Sequence, residues 1–143
     1  MKFKTTTDYA IRIICYLAKE NKVKSSEEIA KELKIPLSYI SKVTKDLKSA
    51  QMIKAIEGIR GGYRLICDAE QVTLYDVIVA SGDQIIINKC LLDKDCCTRD
   101  ASEHCQVRVA YEKVRTTIIL ELKGITISSL INVGGNSNDE KHF

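Results

Sequence analysis

Apolar residues in the first fifty positions fall into three helical stripes. Ala10, Ile14 and Leu17 share one face of a helix predicted from about Thr7 to Lys19, with Ile11, Ile13 and Ala18 flanking it. Asn21-Lys22 forms a loop. Ser25 then stands three residues before Glu28, the spacing of a capping box. The short helix that follows turns Ile29, Ala30 and Leu33 inward. Lys34-Ile35-Pro36 ends it, because proline disfavours helical geometry at Ile35 yet suits the start of a new helix. The third stripe, Ile40, Val43 and Leu47, predicts a helix to about Ser49. Its other face carries Ser38, Tyr39, Ser41, Lys42, Lys45 and Lys48.

The pattern then changes. Met52–Glu57 and Tyr63–Cys67 are β-prone and flank Gly58-Ile59-Arg60-Gly61-Gly62, which reads as a hairpin. Two short helices with a tight connection, followed by a hairpin, make a winged helix-turn-helix. Thr73 can cap a short helix through Leu74, Val77 and Ile78, and a cysteine-bearing loop spans about Ser81 to Cys105. A long helix from about Gln106 to Lys123 follows. Its Val107, Tyr111, Val114, Ile118 and Leu122 recur at steps of four, three, four and four. So narrow a stripe suits pairing with a second helix, hence a dimer interface, although packing on the chain's own core would also use it. Gly124 stops this helix, and a short element is expected near Ser128–Asn132. From Gly134 the chain is polar and expected to be disordered. The expected fold is mainly α with a small β-hairpin wing: a winged helix-turn-helix plus a long dimerisation helix. Its parts are a DNA-binding domain over 1–80, the cysteine loop over 81–105, the dimerisation helix and a short helix over 106–132, and a tail over 133–143.

Charge sharpens this picture. Residues 1–66 carry 14 Lys/Arg against 7 Asp/Glu, or +7, and residues 67–143 carry 8 against 12, or −4. The overall +3 therefore hides a basic half that suits a polyanion, although a solvated lysine-rich face would look alike. With 45% hydrophobic and 29% charged residues, the composition is that of a globular protein. No apolar run approaches the ~18 residues of a membrane span. The N-terminus leads straight into an amphipathic pattern without the apolar stretch of a signal peptide, so a cytoplasmic protein without membrane contact is expected.

In a helix-turn-helix the second helix enters the major groove and reads base edges with its N-terminal residues. Ser38, Tyr39, Ser41 and Lys42 hold those positions, with Lys45 and Lys48 placed for the phosphate backbone. Tyr39 could equally pack against the first helix. At the wing tip, Arg60 suits a narrow minor groove, and Gly61 allows close approach.

Six cysteines are present: Cys15, Cys67, Cys90, Cys96, Cys97 and Cys105. Cys15 and Cys67 read as small buried hydrophobes. The other four lie within one loop, which in a reducing compartment suggests metal binding or redox chemistry. Five residues separate Cys90 from Cys96, eight separate Cys96 from Cys105, and seven separate Cys97 from Cys105. Thiolates bind iron–sulfur clusters and zinc, and this spacing is looser than a zinc knuckle's. His104 adjoins Cys105, but sequence neighbours rarely form a catalytic pair. With no phosphate-cradling loop or paired carboxylates, an enzyme is not expected.

Three segments together, Thr7-Asp8-Tyr9-Ala10-Ile11-Arg12, Ile29-Ala30 through Leu37-Ser38-Tyr39-Ile40, and Gly58-Ile59-Arg60-Gly61-Gly62-Tyr63-Arg64-Leu65, closely resemble the Rrf2 family of bacterial transcription regulators. The resemblance covers about residues 1–132. It implies a homodimer that binds roughly palindromic double-stranded operators, usually as a repressor. It also implies that three loop cysteines hold an iron–sulfur cluster, 2Fe–2S or 4Fe–4S. The family's usual gaps are about five residues, then about five to seven. Cys90 and Cys105 match these gaps; Cys96 fits the first and Cys97 the second. For the open fourth position the resemblance offers Asp8 from the partner subunit, or His104. Capping of the first helix is the plainer role for Asp8, and a surface histidine the plainer reading of His104. The resulting expectation is a regulator whose operator binding follows a cluster that senses nitric oxide, redox or iron–sulfur status. The alternative is a cluster-free regulator of the same fold, answering thiol oxidation or a protein partner.

Overall fold

The structure is a computed structural model that describes residues 1–133. Its helices are α1 (Thr5–Glu20), α2 (Ser26–Leu33), α3 (Leu37–Ser49), α4 (Leu74–Ala80), α5 (Gln106–Gly124) and α6 (Ile127–Val133). Strands β1 (Ile53–Ile56) and β2 (Gly62–Leu65) lie between α3 and α4, and two single 3-10 turns, Lys89–Leu91 and Lys94–Cys96, lie in the cysteine loop. The fold is mainly helical with a two-stranded antiparallel wing, as expected. The tail expected beyond Gly134 lies outside the described residues.

Local chemistry sets most of the boundaries. α2 opens with a complete capping box: the Glu28 N–H donates to Ser25 Oγ at 3.1 Å, and the Ser25 N–H donates to Glu28 Oε2 at 2.8 Å. Thr73 and Asp76 repeat that device at α4. α1 and α2 end on Asn21 and Lys34 in the left-handed region, each returning its N–H to the last turn. α1 has no side-chain cap of its own, and its N-cap residue is Lys4. Asp8 therefore does not cap α1. It sits in the first turn, 2.6 Å from the Arg12 guanidinium.

One core joins α1, α2, α3, β1, α4 and α6. Ala10, Ile13, Ile14 and Leu17 of α1 meet Ile29, Ile40, Val43, Leu47, Ile53 and Val77 there, all at most 2% exposed. The stripe of α1 is wider than its spacing suggested, because Ile13 is as deeply buried as Ile14. α6 returns to this core and buries Ile127 completely. Its entry is fixed by backbone bonds from Leu74 to Ile125, from Ile127 to Val72 and from Ser128 to Ala69. α5 stands apart: none of its 19 residues is buried, and among the described elements it leans mainly on α4 and the first 3-10 turn.

The wing pairs Ile53 with Leu65, Lys54 with Arg64, Ala55 with Tyr63, and Ile56 with Gly62. Its stem is stitched to the α1–α2 connection, where Lys24 and Tyr63 exchange both backbone bonds at 3.0 and 2.8 Å. A Cβ on Gly62 would collide with the Lys24 carbonyl, and one on Gly61 with the Ile56 and Gly58 carbonyls. Both glycines are thus required by the wing itself, whatever it meets outside.

Candidate functional site

α3 presents its polar face to solvent along its whole length. Ser38, Tyr39, Ser41, Lys42, Lys45 and Lys48 are all exposed, while Ile40, Val43, Thr44 and Leu47 seal the opposite side. Thr44 makes this possible by donating its hydroxyl to the Ile40 carbonyl at 2.7 Å, so that a buried polar residue is satisfied within the helix. Tyr39 packs against α1, as one of its two expected roles requires, and still reaches solvent. Its ring packs edge-on against Tyr9 of α1, with centroids 5.4 Å apart, and it remains 39% exposed at the start of the reading face. Tyr9 is in turn covered by the Arg12 guanidinium at 5.7 Å.

The wing lies beside this face. Lys48 Nζ sits 5.9 Å from the centroid of the Tyr63 ring, which joins the end of α3 to β2. Arg60 is exposed at the tip, and Ile59 beside it projects freely into solvent. The structure adds two cations that helix-based reasoning missed. Lys54 and Arg64 are directly opposed across the hairpin and both are exposed, so they share one face of the wing. Like charges in that position repel one another, and a polyanion relieves the repulsion. Their alternation with apolar neighbours in the two β-prone segments was the signal that could have found them.

The cysteine loop places its thiols on separate pieces of backbone. Cys90 lies in the first 3-10 turn, Cys96 ends the second, Cys97 follows it, and Cys105 is the N-cap residue of α5. All four are free; Cys96 is exposed and the others half-buried. Backbone N–H groups of Ala101 and Arg99, with the Ser102 hydroxyl and the Arg99 charge, outweigh a small burial effect and hold the Cys97 thiol below its ordinary range. Cys97 is thereby set apart from its neighbour, a distinction that spacing could not make. Cys15 is the opposite case: burial pushes its thiol up to about 11. Cys67 is half-buried and also shifted up by burial. It lies beyond the end of β2 rather than ending the strand.

Among the described residues, no three Cys, His, Asp or Glu side chains are gathered into a metal-holding group. Asp8 is engaged with Arg12, and His104 is exposed at the surface. In donor chemistry the loop does fit an iron–sulfur cluster, since such clusters take thiolates and the loop supplies four accessible or half-accessible ones. The loop is tied to α5 at two points. Arg108 Nε donates to the Cys90 carbonyl and Arg115 Nε to the Ile85 carbonyl, both at 2.9 Å, so α5 holds it along one helical face.

The stripe of α5 is only partly covered. Val107 and Val114 are 57% and 48% exposed, while Tyr111, Ile118 and Leu122 are half-buried. No helix among the described residues is long and apolar enough to cross a membrane.

Comparison with known proteins agrees with this architecture. The chain is 34% identical over 144 residues to a protein of Aquifex aeolicus named as an HTH-type transcriptional regulator, covering 100% of this chain and 96% of that one. It is 24% identical to the HTH-type transcriptional regulator NsrR of Shouchella clausii, over 92% of this chain and 89% of that one. The solved structure of CymR, the global cysteine regulator of B. subtilis, superposes with a TM-score of 0.73 at 22% identity, covering 93% of this chain and 98% of that one. The family described as Rrf2, iron-dependent transcriptional regulator, matches residues 3–133. The chain therefore belongs to the Rrf2 family of transcriptional regulators, which are DNA-binding proteins and not enzymes.

Proposed function

We propose that this regulator reads a roughly palindromic operator as a homodimer, usually to repress, and that the state of its cysteine loop sets its operator affinity. The single observation that carries the proposal is the composition and placement of that loop. Four free cysteines lie between a basic reading half and an α5 whose apolar stripe is only partly covered. A second copy pairing along Val107, Tyr111, Val114, Ile118 and Leu122 would cover that stripe. Two reading heads would then face successive major grooves, with Ser38, Tyr39, Ser41 and Lys42 at base edges, Lys45 and Lys48 at phosphates, and Arg60 with Gly61 in the minor groove. Such a protein works in the cytoplasm, where its DNA is.

Cys90, Cys105 and one of the central pair would hold an iron–sulfur cluster, with Asp8 of a second copy or His104 completing the donor set. The environment of Cys97 favours it over Cys96, since N–H groups directed at a sulfur stabilise a thiolate ligand. When bound, the cluster would supply a centre open to nitric oxide, oxygen or iron limitation. The rival reading, a cluster-free thiol switch, is favoured by the same lowered Cys97 thiol standing beside exposed Cys96.

Strictly anaerobic purification, followed by an absorbance spectrum with iron and sulfide assays, separates the two. The cluster reading predicts a brown protein that Cys90→Ala renders colourless. A colourless wild-type protein without iron or sulfide overturns it in favour of the thiol switch. A chromophore that survives Cys90→Ala removes Cys90 from the ligand set.

A further inference from the structure

Three consecutive residues at the mouth of the cysteine loop grip the first turn of α1. The Asp83 carboxylate accepts the Lys4 N–H and the Thr7 hydroxyl, each at 2.8 Å. Lys4 Nζ donates to the Gly82 carbonyl at 2.6 Å. The Ser81 hydroxyl lies 2.9 Å from Thr7 Oγ1 and 2.7 Å from the Ile78 carbonyl. Thr7 is completely buried, and Ser81 is 7% exposed. These contacts bridge more than seventy residues of sequence, and they anchor the residue that precedes α1 and the side chain of its third residue. Burial raises the Asp83 carboxyl, but the bonds from Lys4, Thr7 and Gln84 outweigh it and hold the group below the ordinary carboxylate range. The carboxylate also faces the positive end of α1.

Apolar side chains would have packed this junction at lower desolvation cost. What a saturated polar node provides instead is a single allowed geometry. Its position gives that geometry a use. On one side, Ile85 and Cys90 carry it to α5 through Arg115 and Arg108. On the other, Thr7 is two residues from Tyr9, whose ring abuts Tyr39 at the start of the reading face. Among the described residues, side chains of the remaining loop hydrogen-bond only within the loop, as Ser102 does to the Lys94 carbonyl.

We propose that Thr7, Ser81 and Asp83 form the joint through which rearrangement of the cysteine loop reaches α3, by way of the first turn of α1. The three are positioning residues, and the inference rests on the reading of the loop as the controlling element.

Thr7→Val keeps the shape and removes the hydroxyl, and Asp83→Ala removes the acceptor. Thr73→Ala, which breaks the cap at the opposite end of α4 from Ser81, controls for general destabilisation. In reduced, DNA-free protein, amide exchange over residues 37–43 should rise by about threefold or more in both joint variants relative to Thr73→Ala. Unchanged exchange there, with residues 81–90 loosened, overturns the proposal. The second measurement is the ratio of operator affinities before and after alkylation of the loop thiols with iodoacetamide, using a duplex selected from a random pool. The joint variants should bring a wild-type ratio of about tenfold close to one, and a retained wild-type ratio overturns the joint. A wild-type ratio of one would instead contradict the controlling role of the loop, and the exchange result would then judge the joint alone.

Discussion

Gly61 and Gly62 are held in place by crowding around the backbone. Lys24, Ile56 and Gly58 present carbonyl oxygens where a Cβ would fall, because the wing stem is bonded to the α1–α2 connection on one side and closes its own turn on the other. Gly62→Ala should therefore cost about 1–3 kcal/mol of stability and lower operator affinity by distorting the wing, as measured by thermal unfolding and mobility shift. A variant with wild-type melting and binding would show that the stem can move aside. At this scale the sequence was most legible where cause and effect lie three residues apart. Ser25 with Glu28 and Thr73 with Asp76 form the reciprocal bonds that their spacing implies. It was least legible at Asp8, whose cap position is taken by Lys4 and whose carboxylate went to Arg12.

α3 and the wing meet where Lys48 lies over Tyr63, and Tyr39 ties the other end of α3 to Tyr9 of α1. If Lys42 and Arg60 contact bases, alanine at either should weaken operator binding by about 1–3 kcal/mol and relax preference at one position. If either touches only phosphate, the loss should be uniform across sequences, and the slope of log affinity on log salt should fall by about one. Unchanged affinity for both would mean the reading surface lies elsewhere. α5 is the other element with an unmet requirement, since a 19-residue helix with no buried residue gains little from its own chain. Ile118→Glu should convert dimer to monomer in sedimentation while leaving the helical content nearly intact. A variant that stays dimeric would place the interface off this stripe. The helices were readable from periodicity because each buries one face against a common core, whereas the isolation of α5 could not be read, since its stripe looks the same whether its partner is the core or a second chain.

Across the whole molecule, the divisions suggested by sequence are crossed by contacts that no local pattern encodes. Ile127 closes the core begun by Ala10, and Asp83 anchors the start of a helix that begins at Thr5. Both depend on distant stretches of chain meeting, and neither an isoleucine nor an aspartate announces its partner. On the proposed reading, the Asp83 contact leads from the cysteine loop to the reading head, and loop chemistry would act on DNA binding without touching DNA. That claim is tested most directly by measuring operator affinity on one anaerobic preparation, before and after removal of its cluster. The account predicts at least a tenfold difference between the two forms, about 1.4 kcal/mol, and its absence in Cys90→Ala. Equal affinity of the two wild-type forms for the same operators would contradict it.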